Sequence, residues 1–263
     1  MTWKALTKKL PDARELCVPQ ETSEAIVLRG VDFSETSRIV TFLSPARGRL
    51  ACMARGVKRP KNQLAAMLDT FNRLEVTYYW KDGRSIQPLS EAVLLDGFDA
   101  IKRDLEKSAF AAFPMEVAGK TAHENEPSQS LYDTLVHGLR SLSDWTGDVR
   151  THACWQVLQL LSEAGFEPRL DVCADCGAPA GLTPGFAYRG GVTCSQCSSD
   201  RRLTTGGLEA LRAMQGSREC CPDAPGDEAY EVVWRYAAHQ LMTEFQSARV
   251  IHQLFDSRAN GRT

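Results

Sequence analysis

Two C-x-x-C pairs, Cys173 to Cys176 and Cys194 to Cys197, constrain this chain more than any other feature. Seventeen residues separate the pairs, and this spacing is typical of a four-cysteine zinc site. Two residues between the cysteines allow a tight turn that presents both sulfurs to one tetrahedral ion. The sequence therefore predicts zinc bound by Cys173, Cys176, Cys194 and Cys197. Four unligated core cysteines are a poor alternative, because the segment between the pairs is too short and too rich in Gly and Pro to hold its own core.

The predicted zinc is structural. Four protein thiolates leave no open position for water or a substrate. A zinc deaminase would need an H-x-E stretch, and none of the five histidines is followed by glutamate two residues later. The chain also lacks the P-loop, G-x-G-x-x-G, H-E-x-x-H and G-x-S-x-G motifs. We therefore expect that it is not an enzyme.

Cysteine usage and hydropathy indicate the compartment. The nine cysteines are an odd number, and no apolar signal segment stands at the N-terminus, which favours the reducing cytoplasm over a secreted disulfide framework. No stretch approaches the length of an apolar membrane span, so we expect no membrane partner.

The net charge of −2, from 31 basic and 33 acidic residues, gives no sign of a nucleic-acid partner. Only the distribution of charge along the chain can address that question.

Short strands with tight turns dominate the first hundred residues. Asp82-Gly83 suits a hairpin turn, because the glycine accepts a positive φ. Five strands within about seventy residues favour a small barrel such as an OB-fold. The predicted strands are 25–28, 38–43, 50–54, 71–80 and 85–95.

The charge within the predicted barrel is uneven. Between Thr36 and Met67 the chain has no acidic residue. Such a surface suits DNA phosphates, which basic side chains bind without reading the base sequence. A solvated charged loop is the alternative, and the absence of compensating acids favours binding. The seven basic residues of this run, four of them in the loop 55–61, are Arg38, Arg47, Arg49, Arg55, Lys58, Arg59 and Lys61.

Helical periodicity follows the barrel. Amphipathic helices are predicted on both sides of the cysteine pairs, with a kink or an end at Pro114 and one long final helix from Glu228 to Phe255. The fold class is therefore α+β and multidomain: an N-terminal OB-fold barrel followed by an α-helical bundle with an embedded four-cysteine zinc module. The predicted units are an extension (1–22), the barrel (23–97), a first helical part (98–170), the zinc module (171–203), a second helical part (204–257) and a tail (258–263).

The order of these units, together with two local motifs, resembles a known family. Ser34-Glu35-Thr36-Ser37 follows the first strand, and Gly48-Arg49-Leu50 leads to Arg55-Gly56. From about Glu24 to Phe255 the chain resembles RecO, the bacterial recombination mediator family. The resemblance implies an OB-fold, a helical domain with an embedded zinc module, and binding of single- and double-stranded DNA without catalytic turnover.

The resemblance also implies partners. RecO-like proteins anneal complementary strands coated with single-strand-binding protein, contact the C-terminal tail of that protein and, with RecR, help to load RecA. It further implies a nucleoid-associated protein in the bacterial cytoplasm, and it adds Arg249 of the final helix to the DNA-binding candidates. The rival hypothesis is a zinc-ribbon protein-interaction or transcription adaptor, which would bind a protein partner without annealing strands.

Overall fold

The computed structural model describes residues 19–60, 62, 64–181, 183–220 and 226–256. The predicted extension up to residue 18 lies outside them. Five strands close into a barrel in the order β1-β2-β3-β5-β4, which confirms the predicted small barrel. They are β1 (Gln20–Asp32), β2 (Arg38–Ser44), β3 (Gly48–Ala54), β4 (Arg73–Tyr79) and β5 (Gln87–Asp96), with the short helix α1 (Leu64–Met67) before β4.

The first strand is longer than predicted, and it closes the barrel by pairing with both β2 and β4. Its first half pairs with β4, starting at Gln20 opposite Tyr79, so the barrel begins inside the segment that we assigned to the extension. Its second half pairs with β2 from Ile26 onward, and this pairing has a register shift between Val27 and Arg29. Such a bulge bends a strand, which is what a small closed barrel requires. The parallel pairing of β3 with β5 completes the closure in the manner of an OB-fold.

The interior of the barrel follows from simple alternation. Along β3 the residues Leu50, Cys52 and Ala54 are buried, and their neighbours are partly exposed. Val57, from the loop after β3, is also buried in the barrel core, with 2% of its surface exposed. This loop is therefore anchored by an apolar side chain even though most of its residues are polar or charged.

Among the described residues, seven helices form the second unit around a largely buried α5. Asp104 caps α3 by accepting backbone N–H groups of Glu106 and Lys107, at 2.9 and 3.0 Å. Pro114 lies inside α3, so the helix does not end there. The helices are α2 (Asp99–Arg103), α3 (Leu105–Thr121), α4 (Gln129–Asp144), α5 (Val149–Glu163), α6 (Thr205–Gly216), α7 (Gly226–Gln240) and α8 (Gln246–Ile251), followed by a π-helical turn at His252–Asp256.

Helices α4 and α5 approach each other closely at Gly138. A Cβ atom on this residue would lie 2.2 Å from the side-chain amide of Gln156. Gln156 is fully buried, and its Nε2 donates to the carbonyl oxygen of Leu135 at 3.2 Å. The glycine thus provides the space for a buried hydrogen bond between the two helices.

The prediction of one final helix from Glu228 to Phe255 is wrong, because the helix is interrupted between α7 and α8. Met242, in the break, has a φ of 44°. The carboxylate of Glu116 in α3 accepts the backbone N–H groups of Gln246 and Ser247, at 3.1 and 3.0 Å. It thereby satisfies donors that the first turn of a helix leaves free. Glu116, 130 positions before Gln246, therefore caps the N-terminus of α8.

The barrel and the helices share a core. Ile26 and Leu43 belong to the barrel strands yet pack in the helical hydrophobic cluster. Beside them, Arg73 Nη2 donates to Glu24 at 2.7 Å, and the hydroxyl of Tyr132 donates to the same carboxylate at 3.0 Å. Arg73 lowers the pKa of Glu24, and burial raises the pKa of Tyr132 to about 12. This network ties β1 and β4 to α4.

Between α5 and α6 lies a small sheet that carries the cysteine pairs, with the order β7-β6-β8. Phe186 is buried in the helical core and makes an edge contact with Tyr236 at 5.7 Å. Gly191 has a φ of 129°, and a Cβ there would lie 2.1 Å from the carbonyl oxygen of Arg169, so only glycine fits. The module is therefore fixed to the helical domain. Its strands are β6 (Gly185–Ala187), β7 (Gly191–Thr193) and β8 (Arg201–Arg202).

Candidate metal centre and nucleic-acid interface

The four predicted cysteines come together in one cluster. The Sγ atoms of Cys173, Cys176, Cys194 and Cys197 all lie within 4.8 Å of one another. The sulfurs of Cys176 and Cys194 are 3.6 Å apart. Metal–sulfur bonds of about 2.3 Å in a tetrahedron place the sulfurs about 3.8 Å apart, so the cluster has the size of a tetrathiolate metal site.

Local backbone turns hold the sulfurs in place. Gly177 has a φ of 75°, and its N–H donates to the carbonyl oxygen of Cys173 at 2.9 Å. In the second pair, the N–H of Cys197 donates to the carbonyl oxygen of Cys194 at 3.2 Å. The N–H of Ala174 donates to Val192 at 2.8 Å and so connects the first pair to the strand that enters the second.

Arg189 ties the two cysteine pairs together from outside the cluster. Its Nε donates to Asp175 of the first pair at 3.0 Å, and its Nη2 donates to the carbonyl oxygen of Ser198, just after the second pair, at 2.9 Å. The guanidinium lowers the pKa of the Asp175 carboxyl. This bridge therefore links the two cysteine pairs through residues that are not among the four candidate metal ligands.

The electrostatics of the cluster favour thiolates at Cys173 and Cys194, while the neighbouring sulfurs raise the pKa of Cys176 and raise that of Cys197 to about 12. Backbone hydrogen bonds from Cys176 and Cys194 lower the pKa of Cys173 to about 6. A backbone hydrogen bond from Gln196 lowers the pKa of Cys194. Since thiolates rather than thiols bind metals, these residues fit a soft divalent cation, and all four positions of a tetrahedral ion would be filled by protein.

Four of the predicted DNA-binding residues lie at one end of the barrel, which we call the distal basic end: Arg38, Arg55, Lys58 and Arg59. The loop after β3 joins the β1–β2 loop through a hydrogen bond from the Lys58 N–H to the carbonyl oxygen of Thr36, at 3.1 Å. Arg55 and Arg59 are exposed and, within the described part of the chain, form no ion pair. Lys61, the fifth basic residue predicted here, lies outside the described residues.

Asp32 organises the distal basic end. Its carboxylate receives Arg38 Nε at 3.2 Å and Lys58 Nζ at 2.7 Å. The hydrogen bonds from Lys58 and then Arg38 lower the pKa of Asp32, so the carboxylate stays charged. The carboxylate offsets one of these two positive charges, and the other remains available together with those of Arg55 and Arg59.

Two other predicted residues, Arg47 and Arg49, lie at the opposite end of β2, roughly 20 Å away along a seven-residue strand. Arg47 donates to Glu21 at 3.0 Å and stacks 3.9 Å above the ring of Trp80. Arg49 donates to Glu124 at 3.0 Å and to a carbonyl oxygen of α3 at 3.1 Å. Their guanidinium groups are engaged in holding the turn and the helical domain, which makes them poor candidates for phosphate contacts.

Comparison with known proteins agrees with this architecture. The family description "Recombination protein O N terminal" matches residues 19–98, and "Recombination protein O C terminal" matches residues 102–247. The chain belongs to the RecO family. The DNA repair protein RecO of Anaeromyxobacter sp. (strain K) is 31% identical over 243 residues, which cover 87% of this chain and 94% of the relative. That of Shouchella clausii is 34% identical over 179 residues, covering 66% of this chain and 67% of the relative, and that of Myxococcus xanthus is 29% identical over 237 residues, covering 88% and 96%.

The last predicted DNA-binding residue of this chain, Arg249, is not part of the distal basic end. It lies on α8, and 65% of its side chain is exposed. Its guanidinium is 4.0 Å from the carboxylate of Glu244. The structure therefore brings four of the eight predicted residues together, places Arg47, Arg49 and Arg249 elsewhere, and leaves Lys61 undescribed.

An aromatic residue that the sequence analysis did not single out lies at the same end of the barrel. Phe33, in the β1–β2 loop, is 64% exposed. The available signal was a lone aromatic side chain within a run of Asp, Ser, Glu and Thr.

Among the described residues, no helix is both long and apolar enough to cross a membrane.

Proposed function

We propose that this RecO-family chain is a DNA repair and recombination mediator that binds single- and double-stranded DNA and anneals complementary strands. We further propose that it acts with RecR to help load RecA onto DNA coated with single-strand-binding protein. The observation that supports DNA binding most directly is the distal basic end, where Arg55, Lys58 and Arg59 lie in the loop after β3 and Arg38 begins β2, next to the β1–β2 loop of an OB barrel. The β1–β2 loop is one of the loops that bind oligonucleotides in other OB-folds.

Annealing by such a surface needs no bond chemistry. Two DNA strands repel each other through their phosphates, and cations that neutralise phosphates reduce this repulsion. Contacts that do not depend on base sequence also let one strand shift against the other until the register is correct. The geometry thus supports a binding protein in which basic side chains, held by Asp32 and the anchored loop, carry the activity.

We propose that the four-cysteine cluster holds Zn²⁺ with a structural role. Zinc prefers four thiolates in a tetrahedron, and the ligand spacing and sulfur separations agree with that preference. The cluster lies in a module docked through Phe186 on the helical domain rather than on the barrel. Zinc would therefore stabilise the domain that we propose receives protein partners.

The tail of single-strand-binding protein is acidic and ends in apolar residues, so it requires an apolar groove with a basic rim. We propose that the helical domain provides this groove. Its contact with the barrel, through Ile26 and Leu43, would keep the captured tail and the DNA-binding loops in a fixed relation.

An annealing assay tests the proposed function. Complementary strands precoated with single-strand-binding protein are mixed with the full chain, with and without RecR, and duplex formation is followed by fluorescence. We expect annealing by the chain alone. In a second reaction, in which RecA is added to a precoated single strand, we expect RecA to load only when the chain and RecR are both present. Binding to a protein partner with no acceleration of annealing would favour the adaptor hypothesis and reject the proposal.

A further inference from the structure

The end of β1 and the β1–β2 loop display apolar surface beside the distal basic end. Phe33 is 64% exposed and Val31 is 54% exposed. Val31 pairs with Ile39, which in turn pairs with Met53, and the last two are partly exposed on neighbouring strands. A single exposed apolar side chain needs no explanation. Here an apolar row crosses three strands, and the exposed Phe33 follows two residues after Val31 in the loop.

The loop that carries Phe33 is held in one shape. The N–H of Phe33 donates to the carbonyl oxygen of Ser37 at 3.0 Å, and the N–H of Ser37 donates to the hydroxyl of Ser34 at 3.2 Å. The neighbouring residue, Asp32, binds the side chains of Arg38 and Lys58. An exposed ring on an ordered loop binds a flat partner with little loss of conformational entropy.

We propose that Phe33 is a base-stacking residue for single-stranded DNA, a role that rests on the proposed DNA-binding function and extends it. The charge around the ring identifies the ligand. Arg38 and Lys58 both bind Asp32, the residue that precedes Phe33. In this position their charges suit the phosphates of a strand whose base covers the ring. A protein partner with an apolar surface would need acidic groups to match the same cations, and if Phe33 binds such a partner, Phe33→Ala should leave DNA affinity unchanged.

Stacking on Phe33 distinguishes single strands from duplexes. Every base of a single strand has a free face, and aromatic side chains bind such faces with little sequence preference. In a duplex the faces are covered by neighbouring base pairs, so only the phosphates reach the distal basic end. Phe33 would therefore add affinity for single strands alone, and this contribution would not depend on salt as ion pairing does.

The test uses the full chain with Phe33→Ala and Phe33→Trp, and Leu105→Ala as a control. Leu105 is 60% exposed at the start of α3, so it matches Phe33 in exposure at a site away from the loop. Fluorescence anisotropy measures the dissociation constants for a labelled 20-nucleotide oligo-dT strand and for a 20-base-pair duplex, each at four salt concentrations. Circular dichroism checks that every variant is folded.

We expect Phe33→Ala to weaken oligo-dT binding by about 5- to 150-fold at every salt concentration, with an unchanged dependence on salt. Duplex binding should change by less than about twofold, and Phe33→Trp and Leu105→Ala should bind as the wild type does. Wild-type affinity of Phe33→Ala for oligo-dT, or equal losses for strand and duplex, would overturn the stacking role while the proposed function stands. If the wild type binds neither DNA, both the proposed function and the stacking role fail.

Discussion

Removing charge from the distal basic end should change how salt affects DNA binding. The perturbation is the triple variant Arg55→Ala, Lys58→Ala and Arg59→Ala. These side chains are exposed, so their loss should not disturb the barrel core. Val57, which anchors the loop, is kept. We expect weaker binding to single- and double-stranded DNA and a flatter dependence of affinity on salt.

The magnitude follows from the number of free cations. Each phosphate neutralised on a single strand contributes about 0.7 to the slope of log affinity against log salt. Arg55 and Arg59 together contribute about 1.4, and a fully available Lys58 would raise this to about 2.1. Lys58 shares the carboxylate of Asp32, so the expected change lies between these two values. Between 50 and 200 mM salt, the wild type should lose roughly 7- to 18-fold more affinity than the variant.

The assay is fluorescence anisotropy with a labelled oligo-dT strand at several salt concentrations. A matched control removes three exposed positive charges that form no ion pair among the described residues, with Lys120→Ala, Arg202→Ala and Arg218→Ala, all of which lie outside the barrel. The control should keep the wild-type slope within about 0.5, because charges far from the bound strand are screened by salt. Identical slopes for the wild type and the distal variant would refute this assignment of the interface. Equal reductions in both variants would show that overall charge, not this surface, sets the affinity.

Three further predictions concern stability. Cys194→Ser should remove the bound zinc detected by atomic emission and lower the urea midpoint by far more than it lowers DNA affinity per folded molecule, and zinc-free wild-type protein would contradict the site. Gly138→Ala should be destabilising by urea unfolding, because overpacking against Gln156 costs about 1–3 kcal/mol against a helix gain of about 1 kcal/mol; Gly206→Ala, with nothing within 4 Å of its Cβ, should be neutral or stabilising. Glu24→Gln should lower stability at pH 7 by less than about 1 kcal/mol. Because the folded pKa of Glu24 is below its usual 4.5, that difference should disappear as the pH falls through the folded value, and a pH-independent difference would show that the ion pair is not its cause.

Features that depend on neighbouring residues could be predicted from sequence. The alternation of Leu50, Cys52 and Ala54 is local, and so is the turn that glycine permits at Gly83. The C-x-x-C spacing likewise fixes two sulfurs within each pair. These local rules indicated the five strands and the cysteine cluster, whereas the bridge from Arg189 between the two pairs depends on how the module folds.

Features set by distant residues could not be predicted in the same way. The break between α7 and α8 depends on the carboxylate of Glu116, which caps Gln246 and Ser247 from another helix. The periodicity of the sequence continues through this break, so the pattern alone favoured one helix. Pro114 shows the converse, since a residue that often ends helices lies inside α3, where it is buried between Phe113 and Met115.

Distant acidic residues also explain why the free basic surface in the structure is smaller than the one predicted from sequence. The run from residue 36 to residue 67 has no acid, yet the fold supplies acids from outside it: Asp32 to Arg38 and Lys58, Glu21 to Arg47, and Glu124 to Arg49. Strand β2 separates the cations into two ends, and the acids neutralise the end nearest the helices more completely. An absence of acid along the chain therefore does not imply an absence of acid in space. The surface free to bind DNA is the smaller distal set, whose charge is joined by the exposed ring of Phe33.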